Sequence, residues 1–173
     1  MKSTREKDFR RLLVVAALFL AALLAAGFRE PSLRVEPSDS VGPRTLEKQT
    51  ETAVIRDYLQ AWQTMSTALD TNRAEVLDAD FVGVAREKLA DTVREQQKVG
   101  LRTRYTDQSH NVKLVFYSPE GLSIQLIDTV DYDVQLFDQE TLKATTHVRT
   151  CYVAVLTPTE VRWKVRIFQA EPE

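Results

Sequence analysis

The sequence predicts an α+β domain behind an N-terminal apolar span, with two to three helices packed on a curved antiparallel sheet of about four strands. Three observations predict it. Residues 12–28 (LLVVAALFLAALLAAGF) are seventeen positions without a charge. Between Ile55 and Leu69 apolar residues recur at spacings of three and four, one face of a helix. After Gly100 the apolar period falls to two, and Pro- and Gly-bearing turns separate the runs.

The span follows a basic leader, residues 1–11, with Lys2, Arg5, Lys7, Arg10 and Arg11. About 17 apolar residues is the lower limit for crossing a bilayer as a helix, and Leu and Ala are good helix formers. Five Lys/Arg stand before the span and three (Arg29, Arg34, Arg44) in the sixteen residues after it. That asymmetry predicts a signal-anchor in the cell (inner) membrane, N-terminus cytoplasmic and domain outside. The alternative is a signal peptide cleaved after Gly27, which would release a secreted domain. No Cys stands at the end of the run, which disfavours a lipoprotein anchor.

Residues 29–44 (REPSLRVEPSDSVGPR) carry Pro31, Pro37, Pro43 and Gly42 and read as a flexible linker. Extended, they would reach about 50 Å. Residues 45–173, the predicted domain, hold fifteen Lys/Arg against twenty Asp/Glu, a formal charge of −5. This excludes nucleic acid or anionic lipid as the principal partner, since both need a basic surface. The single cysteine, Cys151, forms no intrachain disulfide; in an apolar strand it reads as a small hydrophobe, the alternatives being an intermolecular bridge or a reactive thiol.

The first soluble helix is predicted over 46–70, with Ile55, Tyr58, Leu59, Trp62, Met65 and Leu69 inward and Thr45 as N-cap. One short helical turn follows over 73–78. A second helix runs over 81–99, capped by Asp80 and stopped by Gly100. Val112, Leu114 and Phe116 mark the first clear strand, preceded by a loop at Gln108–Asn111. A Ser118–Gly121 turn leads to a long strand over 122–137, then strands over 143–156 and 161–169.

This order resembles the nuclear-transport-factor-2-like superfamily, the cone fold shared with ketosteroid isomerases. The resemblance rests on a Trp-bearing first helix (IRDYLQAWQTM), a short helical stretch and a second helix ending at Gly100. A long strand with an acidic residue (LSIQLIDTVDYDVQLF) and a closing strand (VRWKVRIF) complete it. With the leader and span, the layout is similar to membrane-anchored, non-catalytic members such as Mce-associated proteins. Cystatin-like folds with one helix are the near alternative. The resemblance implies a conical interior serving as active site, ligand pocket or core, and for anchored members an accessory or assembly role.

Asp128 is the sharpest candidate for chemistry. It shares the apolar face of its strand with Ile124, Leu126, Val130 and Tyr132. A carboxylate there must be paired, protonated or solvated. The functional reading is an acid or base facing the cone interior; the structural ones are a bulge that turns it outward or a salt bridge to an Arg. His147 could pair with Asp128, whereas His110 falls in the predicted loop. Two histidines and one cysteine make a transition-metal site unexpected, and no nucleotide-binding or hydrolase motif is present, so no cofactor is expected. Arg162, Lys164 and Arg166 form a basic stripe, Asp131 and Asp133 an acidic one. The default is pairing across strands, and the alternative is a docking face for a partner's acidic segment.

The expected function is a membrane-anchored extracytoplasmic accessory domain, non-enzymatic, that binds an integral-membrane or extracytoplasmic protein complex. One alternative is a small-molecule binder or enzyme using Asp128. A structural homodimer is the other.

Overall fold

The computed structural model describes residues 31–37 and 42–171. The basic leader and the apolar segment 12–28 lie outside the described residues; among those described, no helix is long and apolar enough to cross a membrane. The chain is β1 (Ser32–Val35), α1 (Lys48–Thr71), a 3-10 helix (Ala74–Ala79), α2 (Gly83–Lys98), β2 (Leu101–Tyr117), β3 (Ile124–Asp138), β4 (Thr141–Pro158) and β5 (Trp163–Ala170). Three helices therefore pack on one five-stranded mixed sheet in the order β1-β2-β3-β4-β5.

The fifth strand corrects the reading of 29–44 as spacer throughout. Ser32–Val35 pairs in parallel with Ser109–Val112. Pro31 and Pro37 flank these four residues without interrupting them, and Pro37 favours extended backbone at Glu36 before it. An edge position tolerates such neighbours.

Five of the six residues of the predicted α1 stripe, Ile55, Tyr58, Trp62, Met65 and Leu69, are buried, joined by Val54, Ala61 and Ala68, while the sixth, Leu59, is half-buried against them. Its N-cap is Glu47 rather than Thr45. α2 starts two residues later than predicted, with Val82 at its N-cap. The preceding residues are drawn onto the sheet instead: Val82 N–H donates to the Val165 carbonyl and Val165 N–H to that of Asp80, both at 2.9 Å. Gly100, at φ +71°, ends the helical segment in the left-handed conformation that glycine adopts at least cost.

β2 and β4 are longer than their apolar patterns indicate, because the start of each is more exposed and carries polar residues on both faces, whereas β3 lies within two residues of its predicted bounds. The inward-facing alternation of β3 is unbroken from Ile124 to Tyr132, Asp128 included. In β5 a register shift between Val155 and Leu156 leaves Arg166 unpaired. Val165 and Phe168 then face the core while Ile167 turns outward, against the strict alternation expected.

Candidate functional site

The site is built on β2 by a bulge. The β2–β3 register jumps between Asp107 and Ser109, with Asp107 opposite Tyr132 and Ser109 opposite Asp131. The extra residue, Gln108, resets the alternation, so Asp107 and His110 both face inward, which a regular strand would forbid at a spacing of three. This is why Gln108–Asn111 reads as a loop in the sequence: the period breaks there although the strand does not.

His110 is thus the histidine that meets Asp128. Its Nδ1 lies 2.6 Å from Asp128 Oδ2, and Tyr58 of α1 donates its hydroxyl to the same oxygen at 3.0 Å. On the ring's other side Nε2 is 3.7 Å from Asp107 Oδ2. Asp128 and His110 are 0% and 2% exposed. Burial disfavours the imidazolium, but the bonds and charges of Asp107 and Asp128 outweigh it and raise the His110 pKa to about 9. Burial and then the Asp128 charge push the Tyr58 hydroxyl well above its usual value, so it remains a donor.

Trp62 of α1 closes the cluster. It is buried, with its ring edge-on to His110 at a centroid distance of 5.3 Å, and to Tyr132, Tyr152 and Phe168 at 5.6, 5.1 and 5.7 Å. Aromatic side chains therefore fill the cone beside the ion pair. Trp62 Nε1, Asp107 Oδ1 and Asp128 Oδ1 are buried without a hydrogen-bond partner, so the polar capacity of the cluster is not exhausted.

The other sequence candidates fall elsewhere. His147 does not reach Asp128: it is on β4 opposite Asp133, exposed, with Nδ1 3.0 Å from Asp133 Oδ1. Asp128 is not turned outward by a bulge, nor paired with an Arg. The basic stripe does not pair with Asp131 and Asp133, because β4 separates β3 from β5. Arg162 instead donates to Asp80 Oδ1 at 2.8 Å, and Lys164 to the Asp78 carbonyl at 2.8 Å. Asp80, 1% exposed, also accepts from Thr64 at 2.6 Å. It thereby ties α1 to the β4–β5 turn instead of capping a helix. Arg162 and Lys164 line a surface hollow of about 490 Å³ with Ala79, Val82 and Val161.

The His110 shift has a pH signature. Below its unfolded value of 6.5 both states hold the proton and the stabilisation is complete. As pH rises toward about 9 the unfolded chain releases it first and stability falls. Urea unfolding should lose up to about 3 kcal/mol between pH 6.5 and 9 in the native chain, and the His110→Phe variant should lack that slope.

No family model matches the chain, and no curated protein does. Solved structures do. The intermembrane space region of the chloroplast protein ARC6 aligns at a TM-score of 0.62 and 19% identity, over 76% of this chain and all of that one. A putative scytalone dehydratase from Novosphingobium aromaticivorans aligns at 0.51 and 15% identity, over 73% and 89%. At these identities the likeness is one of fold. It extends to the arrangement described above, helices packed on one mixed sheet.

Proposed function

We propose that this chain is a single-pass, membrane-anchored domain on the extracytoplasmic side of the cell membrane, and that it acts by binding a protein partner. The observation that carries the reading is the closure of the interior. The buried acid–imidazole pair, Asp128 with His110, is sealed under Trp62 and bonded to itself and Tyr58. Charged side chains with donors to spare lie on the sheet's outer side and edge. The 12–28 run and the excess of basic residues before it support the anchor and its orientation. The fold neighbour from an intermembrane space is a region between two membranes, in keeping with a domain held outside the cytoplasm.

The test is fractionation of the full-length chain with a C-terminal tag. The expected result is a tag in the membrane fraction, cleaved by protease added to spheroplasts, and a defined protein co-extracted in detergent. A mature protein freely soluble without 12–28, or a tag protected in the cytosol, would contradict it.

A second reading keeps the interior as a binding or catalytic site with Asp128 as acid or base. What favours it is that Asp128 Oδ1 and Trp62 Nε1 are both buried without a hydrogen-bond partner. It requires Trp62 to swing out. Partner capture undiminished in a folded Asp128→Asn variant supports the first reading over this one.

A further inference from the structure

Among the described residues the outer edge of β4 is open over more than half of its length. β5 pairs only with Tyr152–Pro158, and the helices pack on β2 and β5 rather than on β4. Among the described residues no strand lies beside Thr141–Thr150, and seven successive residues, Thr141–His147, are exposed on both faces. An unpaired edge is a template for strand addition, which natural sheets blunt with prolines, bulges or short length. This edge has no proline before Pro158 and is rich in Thr and Val, and its register irregularity is confined to the end near Lys143.

The backbone on the open side can be assigned. The Cys151 carbonyl accepts the Glu171 N–H at 2.8 Å, so Cys151 turns its polar groups toward the β5 side. Alternation along an antiparallel strand turns those of Arg149, His147 and Thr145 the same way. Each presents one N–H and one C=O to an incoming strand.

Charge selects the occupant. β4 has no Asp or Glu from Thr141 to Pro158, in a domain whose formal charge is −5 over 45–173. On its other flank β3 sets Asp131 opposite Arg149 and Asp133 opposite His147. That supply leaves Arg149 underused: its Nε stands 4.0 Å from Asp131, and the side chain is 71% exposed. An acid–any–acid strand on the open side would repeat what β3 provides, with opposite charges adjacent across strands. A second copy would instead bring a strand whose only charged side chains are basic.

The geometry points to strand addition at Thr145–Arg149 by an extended segment of the partner that carries two acidic side chains two residues apart. This rests on the partner-binding reading above and specifies the partner's chemistry. The test titrates the full-length chain in detergent micelles with a fluorescent peptide copying Thr129–Gln135 (TVDYDVQ), and with the same peptide bearing Asn at both Asp positions. The acidic peptide should bind at least about tenfold more tightly, with the preference shrinking in about 0.5 M salt. Thr145→Pro removes an outward N–H without touching the β3 ladder and should weaken binding at least about tenfold at an unchanged melting temperature. Arg149→Glu should do the same and does not depend on the proline variant folding.

Equal binding of the two peptides, or unchanged binding in both variants, would overturn the assignment. So would a doubling of mass without peptide that Thr145→Pro abolishes, which gives the edge to a second copy. A membrane partner still captured by both variants sinks the edge assignment but not the partner-binding reading. Peptide binding with no captured partner does the reverse.

Discussion

Replacing Asp128 with alanine should lower the unfolding free energy by about 3–5 kcal/mol, measured by urea denaturation at pH 7. The reason is what remains behind. His110, with its pKa raised to about 9, is a buried cation, and its remaining acid is Asp107 at 3.7 Å. Breaking a buried pair by removing one partner costs about that much because it strands the other charge. Tyr58 simultaneously loses its acceptor. Asp128→Asn should cost less, since an amide oxygen still accepts from one of the two donors. The double change Asp128→Leu with His110→Phe should cost less than the sum of the single changes, because it strands no charge. Additive losses would mean that the two side chains do not act as a pair.

Trp62→Ala should cost about 3–5 kcal/mol, the range for truncating a buried large aromatic. The indole is 1% exposed and meets five rings, Tyr105, His110, Tyr132, Tyr152 and Phe168, with edge-on geometry throughout. Such pairs each contribute about 0.5–1.5 kcal/mol beyond their area. Trp62→Phe should cost about 1–2 kcal/mol, because Nε1 makes no hydrogen bond that the change would lose. If the alanine variant leaves a cavity, added indole should raise its melting temperature and leave the native chain unmoved. An unchanged stability on Trp62→Ala would show that the interior is not packed around this ring.

Much of this fold is legible in the sequence because its helices and central strands bury one face each. The spacing from Ile55 to Leu69 gives α1, and the alternation from Ile124 to Tyr132 gives β3 with Asp128 facing inward. Three features are hidden for physical reasons. Ser32–Val35 is an edge strand whose four residues are all exposed, so no hydrophobic period marks it. The bulge at Gln108 breaks the period of two and disguises the middle of β2 as a loop, which concealed His110, the true partner of Asp128. Asp80 and Arg162 meet across 82 positions, a contact that only the docking of the β4–β5 turn against the helical layer creates. A sequence cue for the bulge does exist: Tyr105, Asp107, His110 and Val112 are consistent with one face only if a residue is skipped between Asp107 and His110.

The central claim is that the buried aspartate–histidine pair is a closed part of the core and that the domain works from its sheet. The measurement that tests it most directly is an NMR titration of the His110 imidazole nitrogens in the full-length chain held in micelles. The expected result is a cation with both nitrogens protonated through neutral pH and a midpoint near 9. A neutral ring at pH 7 titrating near the free value of 6.5 would contradict it, and would return Asp128 and His110 to the role of an open acid–base site.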